Sequence, residues 1–172
     1  KKYDVTVLGA GVAGFAAALQ CSRAGMRTLL IEKSGIPGGT CTLAGMGFPG
    51  LFHAWGKQVI AGIGWEMVER CMKEENKELP DFSKYENLPH WKLQIPINNF
   101  LFACLLDEEF INSGVDVLYH AMPIDVKDSP KGVSVKVCGK NAIRSFDARF
   151  LIDCSGDANG VELADYKLIR HR

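Results

Sequence analysis

Charge of one sign is missing from this sequence. Its 20 Lys and Arg balance its 20 Asp and Glu, for a formal net charge of zero. That balance leaves no electrostatic footprint for DNA, RNA or anionic lipid, and no nucleic-acid partner is expected. Long apolar runs are missing too. The longest, within residues 12–19, is rich in Gly and Ala and falls well short of the ~20 residues a spanning helix needs, so no membrane segment is expected. No secretory leader is expected before the first strand, because residues 3–8 already read as structure. Cysteines are present but unorganised. Cys21, Cys41, Cys71, Cys104, Cys138 and Cys154 show neither C-x-x-C nor metal-type spacing, so no metal site and no disulfide framework are expected. In mostly apolar contexts they read as small hydrophobes of a reduced, cytoplasmic chain. An initiator Met is lacking and residues 167–172 form a strand-like run, so a piece of a longer chain is expected. The basic ending Arg170-His171-Arg172 reads as solvated tail.

What is present describes one globular core. The 172 residues are 47% hydrophobic and 23% charged, and a chain this long can bury about 70% of its unfolded surface. Residues 3–8 are β-branched, apolar and closed by glycine, which predicts a buried strand. Residues 12–24 suit a helix stopped by Gly25, and Thr28-Leu29-Leu30-Ile31 is a second buried strand. Strand, helix and strand in about thirty residues predict a parallel βαβ unit with a right-handed crossover. Residues 34–49 read as a long functional loop. Residues 59–75 carry apolar positions at helical spacing, and that stripe reads as core-facing. Residues 76–90 form an irregular excursion. A further helix is expected from an Asn98 N-cap to Ser113, ended by Gly114. Strands follow over 115–119, 123–126, 133–137 and 144–152, the middle ones as an antiparallel meander. Phe150-Leu151-Ile152 is continuous and apolar again, which predicts a buried return to the parallel sheet.

Gly9-Ala10-Gly11-Val12-Ala13-Gly14 fits G-x-G-x-x-G. Alone the pattern is weak; between a buried strand and a helix it has the context a dinucleotide's pyrophosphate needs. Gly9 allows the tight turn, Gly11 lets the phosphates approach the backbone, and Gly14 lets the helix pack close. The helix end then offers unpaired N–H groups and partial positive charge. Glu32 ends the second strand about twenty residues on, where a carboxylate can accept bonds from both ribose hydroxyls and repel a 2′-phosphate. Lys33 either covers the adenosine or is solvated. So far NAD and FAD are equally served. Two segments favour FAD: Gly38-Gly39-Thr40-Cys41-Thr42, a bare loop able to lie along a long cofactor, and Asp153-Cys154-Ser155-Gly156-Asp157, a second small turn at a strand's carboxyl end.

With those segments the chain resembles the N-terminal part of the FAD-dependent oxidoreductases with the glutathione-reductase type flavin fold, related to the fumarate reductase and succinate dehydrogenase flavoproteins. The resemblance implies an α/β, Rossmann-like FAD/NAD(P)-binding domain: a parallel sheet plus an antiparallel β-meander, truncated at the C-terminus. It implies FAD as cofactor, with Gly9, Gly11, Val12, Ala13 and Gly14 at the pyrophosphate turn and Glu32 and Lys33 at the adenosine. Gly39, Thr40 and Thr42 would follow the ribityl and flavin side, and Ser155, Gly156 and Asp157 would close the pocket. Pro123 falls where relatives pair a backbone amide with adenine; lacking an N–H, it puts one adenine contact in doubt. Residues 1–172 are then one FAD-binding domain with a helical and irregular insertion over 51–97, without the substrate domain and C-terminal flavin-binding elements of relatives. The implied activity is flavin-mediated hydride or electron transfer with a small-molecule substrate. A nucleotide-binding fragment without turnover and an NAD-binding dehydrogenase domain remain the alternatives.

No catalytic residue is singled out. His53, beside Trp55, is either an acid or base near the flavin or, more simply, a loop histidine packed by Trp55 and Phe52. Cys41 lies inside the flavin loop but has no second thiol at redox spacing. His90, Trp91 and His120 have no partner by spacing.

Overall fold

The structure, a computed structural model, describes residues 2–169. Strand β1 (Lys2–Leu8) runs down the middle of the sheet, and Val5, Thr6, Val7 and Leu8 are all buried. Burial on both faces is why its sequence is an apolar run without alternation. Helix α1 (Val12–Arg23) carries the chain back, and Gly25 ends it in a left-handed conformation, with its N–H donating to the Ser22 carbonyl at 2.8 Å. Strand β2 (Thr28–Ile31) then lies parallel to β1, with Val5 opposite Thr28 and Leu8 opposite Ile31. The expected βαβ unit is present.

After the loop, a two-residue pair β3 (His53–Ala54) and β4 (Lys57–Gln58) forms a hairpin that the sequence pattern did not announce. Trp55 and Gly56 make its turn at φ of 50° and 71°, the double positive φ of a type I′ turn. This hairpin shortens the next helix. Helix α2 spans Ile63–Glu74 instead of 59–75, because the N–H groups of Val59 and Ile60 donate back to the Phe52 carbonyl and Gly62, at φ 86°, breaks the path. Val59 and Ile60 are consequently exposed, and the inward stripe of α2 is Trp65, Met67, Val68, Cys71 and Met72.

Helix α3 (Asn99–Ser113) starts as expected: Asn98 Oδ1 accepts the N–H groups of Phe100 and Leu101 at 3.0 and 3.1 Å. Gly114 ends it at φ 74°. Strand β5 (Asp116–Leu118) joins β2 in parallel, and β6 (Met122–Ser129), β7 (Gly132–Cys138) and β8 (Ile143–Asp153) complete the sheet in the order β5-β2-β1-β8-β7-β6. Strand β8 serves two partners. Its first half runs antiparallel to β7 (Ile143 opposite Cys138, Ala148 opposite Val133), and its second half runs parallel to β1 (Phe150 opposite Val5, Asp153 opposite Leu8). Meander and parallel sheet are thus one continuous surface. Phe150, expected in a buried strand, is 58% exposed. A short helix, α4 (Asn159–Leu163), follows. Residues 167–169 form no strand, and the basic ending, residues 170–172, lies outside the described residues.

The helices pack on one face of β1 and β2 through Phe15, Leu19, Val68's neighbour Met67, Leu106 and Phe110. The meander contributes Val126, Val133, Val135 and Val137 to the other core, around Tyr3, Leu29 and Ile31. The segment from 51 to 97 has a small core of its own, in which Phe52, Trp65, Val68, Met72 and Ile95 meet. This is an α/β fold of Rossmann type, in which β1 and β2 are covered on both faces.

Candidate nucleotide-binding site

Strand β1 delivers the chain to Gly9, whose φ of 89° turns it away from the sheet. A Cβ on Gly9 would stand 2.5 Å from the Cys154 carbonyl oxygen, and one on Gly14 would stand 1.8 Å from the Gly9 oxygen. Both glycines are required by the fold itself. Gly11 is different. It precedes α1 at φ −61° and ψ 175°, a backbone any residue adopts, and a Cβ there would meet nothing within 4 Å. Its bareness faces an open space. No side chain caps α1 at Gly11, and its first turn has no acidic residue. The helix end therefore keeps its positive partial charge toward that space.

Glu32 closes the same space from β2. It is buried, at 8% exposure. One carboxylate oxygen, Oε2, accepts the Ala10 N–H at 2.6 Å, and Oε1 accepts the Ser34 N–H at 2.7 Å. Its backbone N–H donates to Leu118 and its carbonyl accepts from Ala121. Glu32 thus ties the glycine turn to the link between β5 and β6. A carboxylate has about four lone-pair sites, so two accepted bonds leave capacity for ligand hydroxyls.

The glycine loop packs on the turn through backbone alone. The Gly38 N–H donates to the Ala10 carbonyl at 2.7 Å, and Gly39 approaches Gly11 so closely that a Cβ would lie 3.0 Å from the Gly11 Cα. Asn99 Nδ2 donates to the Cys41 carbonyl at 2.6 Å, anchoring the loop to α3. Across the opening, the Cys154 N–H donates to the Leu8 carbonyl at 2.8 Å, so the second turn starts beside the first. Asp153 holds that turn in shape: Oδ1 accepts the Ser155 N–H at 2.9 Å and Oδ2 the Val161 N–H at 3.0 Å. Burial works to raise the Asp153 carboxyl, but its bonds from Ser155, Val161 and Gly160 outweigh that and hold it below its ordinary value of 3.8. A depressed folded-state pKa gives stability that is present above the unfolded value and lost as pH falls through the folded one. Asp153→Asn is therefore expected to flatten the acid limb of a stability-against-pH profile below about pH 4. Urea unfolding across that range reads the effect.

A cavity of about 600 Å³ collects these elements. Gly9, Gly11, Val12 and Ala13 form its floor, Glu32 and Lys33 one end, and Gly39 and Thr40 the loop side. Ser155, Gly156 and Pro123 line it as well. Three of the residues singled out lie off the wall. Gly14 packs against Gly9, Thr42 donates its hydroxyl to the Pro37 carbonyl at 2.5 Å, and Asp157 is exposed beside the second turn. The wall also takes Asn159 and Glu162 from α4, and Ser34 and Met122. Sequence reasoning missed these; the i, i+3 spacing of Asn159 and Glu162 was the one available signal.

The other candidates go elsewhere. His53 is not packed by Trp55, which is 78% exposed at the hairpin tip. It stacks on Phe82, with centroids 3.6 Å apart, and meets the edge of Trp65. Burial lowers its pKa. It lines a separate cavity of about 270 Å³, together with Trp55 and His90. Cys41 is buried and burial pushes its thiol up, the reverse of an activated nucleophile. The His120 imidazole lies against Gly35, where an added Cβ would meet it at 2.7 Å. Two thiols, Cys104 and Cys138, are exposed instead of packed, and all six cysteines are free. No helix among the described residues is long and apolar enough to cross a membrane.

A glycine turn, a strand-end acid and a second turn, gathered at the carboxyl ends of parallel strands, define a Rossmann-type dinucleotide-binding domain. Residues 4–169 match the FAD dependent oxidoreductase family, and the chain belongs to it. Its fold is the FAD-binding fold of that family. Among curated proteins, thioredoxin reductase of Bacillus subtilis is 59% identical over 39 residues, 23% of this chain and 12% of that protein. The probable electron transfer flavoprotein-quinone oxidoreductase YgcN of Escherichia coli is 54% identical over 35 residues, 20% of this chain and 8% of its own. Among solved structures, the OxyS anhydrotetracycline hydroxylase of Streptomyces rimosus superposes with a TM-score of 0.65 at 18% identity, over 94% of this chain and 33% of that one. The chain thus spans about a third of the hydroxylase and a smaller share of the curated relatives.

Proposed function

We propose that the cavity binds FAD and that the chain is the FAD-binding part of an oxidoreductase of the glutathione-reductase type, exchanging hydride or electrons with a small-molecule substrate. The observation that carries this is Gly11, a glycine whose added Cβ would meet nothing and whose backbone does not require glycine, beside a buried carboxylate and an uncapped helix end. The amides from Gly11 to Ala13 would offset the pyrophosphate charge. Glu32 would hold the ribose hydroxyls and turn away a 2′-phosphate. Lys33 would cover the adenosine edge. Gly39 and Thr40 would lie along the ribityl chain, with Thr42 bracing the loop from behind, and Ser155 and Gly156 would close the second side, with Asp157 at its outer rim. Gly14 would serve by letting α1 approach. Bound FAD supplies the two-electron exchange; this chain's residues position it and exclude water. The whole of residues 1–172 acts as one FAD-binding domain with 51–97 as an insertion, in the reducing cytoplasm where six free thiols persist.

The test is flavin retention. Protein purified or refolded with FAD is expected to show a bound flavin spectrum and quenched flavin fluorescence, undisturbed by excess NAD or NADP. A colourless protein that takes up no FAD would sink the reading. His53 and Cys41 both lie off the cavity wall, which favours a second reading of the chain alone: a module that binds without turnover. Bound FAD that no pyridine nucleotide or dye can reduce would select it.

A further inference from the structure

Every residue lining the cavity beside His53 belongs to the segment from 51 to 97, and none of them lines the nucleotide cavity. Two contacts join the hairpin to residues 82–85. His53 of β3 stacks flat on Phe82, the ring planes 3° apart, and Gly56 packs against Tyr85, where an added Cβ would stand 3.1 Å from the ring. Leu51, Trp55, Phe82, Tyr85, Leu88 and Leu93 line the cavity, and no Asp, Glu, Lys or Arg does. A charged ligand would lose its water there and find no counter-charge. At about 270 Å³ the cavity has nearly twice the room of the ~150 Å³ that holds one benzene ring, which suits two fused rings.

Two features of the wall have no structural reason. Trp55 sits at φ 50°, where a type I′ turn favours Asn or Gly and a bulky residue is strained, yet its side chain stays exposed and the fold gains little packing from it. His53 Nδ1 is buried with no hydrogen-bond partner. A stranded N–H is the rarer and costlier orphan, so the proton sits on Nε2, and burial, which lowers the pKa, keeps the imidazole neutral. Among the described residues nothing bonds Nε2, and it is not buried, which leaves the ring one free donor. Tyr85, by contrast, already donates its hydroxyl to Glu86 at 2.8 Å. We propose that this cavity binds an uncharged, fused-ring aromatic molecule bearing a carbonyl, with Trp55 stacking on the rings and the His53 Nε2–H donating to the carbonyl oxygen. Aromatic rings meeting Trp55 and Tyr85 gain stacking energy beyond the area they bury. A neutral imidazole matches a neutral acceptor, whereas a carboxylate would be desolvated in return for one hydrogen bond. This site does not depend on flavin in the nucleotide cavity, so its failure and the failure of the FAD reading are separate results.

The experiment titrates the full chain calorimetrically with 1-indanone, indane and indane-1-carboxylate. Indanone is expected to bind about fivefold tighter than indane, the worth of one net hydrogen bond. The carboxylate is expected to bind about tenfold more weakly than indanone, or less still. Trp55→Asn suits the turn better, so its urea midpoint should hold or rise while both neutral ligands weaken by about tenfold. His53→Phe keeps a ring against Phe82 and removes the donor, so the ratio of indanone to indane affinity should fall to about one. No saturable binding of indanone, a carboxylate that binds as well as the ketone, a Trp55→Asn protein that binds like wild type, or an unchanged ratio in His53→Phe overturns the inference. If His53→Phe does not fold, the indane comparison and Trp55→Asn decide the matter.

Discussion

Glu32→Ala is expected to destabilise the fold by about 3 kcal/mol and to remove FAD binding altogether. The structural part follows from two buried donors. The Ala10 and Ser34 N–H groups each give a short bond to the carboxylate, at 2.6 and 2.7 Å, and Ala10 is fully buried. Bonds to a charged acceptor contribute about 1.5–3 kcal/mol each, and a donor stranded without one keeps its whole desolvation cost. Water reaching the Ser34 side would recover part of it, which is why the sum is placed at the lower end. The functional part follows from the same carboxylate holding the ribose. Glu32→Gln separates the two. It keeps the shape and one acceptor oxygen but sets an amide NH2 against one of the backbone donors, so its stability loss should be smaller than alanine's. Urea midpoints at unchanged slope measure the first effect, and a flavin titration of the same samples measures the second. A folded Glu32→Ala that still retains FAD would end the ribose assignment.

Glu32 also illustrates what the sequence shows and what it hides. Its place at the end of β2 was legible, since Thr28–Ile31 is apolar throughout and must lie inside a parallel sheet. The same logic found β1, the Asn98 cap of α3, and β8 to within a residue or so at each end. These are local signals: an apolar run, a capping side chain, a glycine stop. What failed depended on contacts between distant segments or on turns too short to carry a period. The hairpin at Trp55-Gly56 has strands of two residues each, so no alternation exists to read, and it moved the start of α2 to Ile63. His53 was assigned to its sequence neighbours, whereas Phe82 and Trp65, 29 and 12 residues away, supply its packing. In the candidate site the glycines were legible by type, but their reasons were not. Gly9 and Gly14 are dictated by protein atoms and Gly11 by none, a difference that lies in the packing around each. Thr42 looked like a ligand contact because hydroxyls often are; its hydroxyl instead turns inward to Pro37.

That separation leads to the other large effect. Gly14→Ala and Gly11→Ala are the same chemical change three residues apart, and they should fail in opposite ways. At Gly14 the new methyl would sit 1.8 Å from the Gly9 carbonyl oxygen and 3.3 Å from Cys154 Cβ. Both neighbours are held, the oxygen by backbone and the thiol-bearing residue by the Leu8 ladder, so α1 must move off the sheet. A loss of about 3 kcal/mol or more is expected, at the upper end of overpacking costs. At Gly11 the methyl meets no atom, and φ −61° suits alanine. The lost chain entropy of the unfolded state and the poorer N-cap work against each other, leaving stability within about 1 kcal/mol of wild type. Yet the methyl would occupy the space the pyrophosphate needs, and a displaced phosphate is expected to lower FAD affinity by roughly a hundredfold. Thermal unfolding without cofactor should therefore separate the variants in one order, and FAD titration of the folded fraction should show Gly11→Ala as the severe one. A Gly11→Ala protein that folds normally and binds FAD like wild type would mean that the phosphates lie somewhere other than the end of α1.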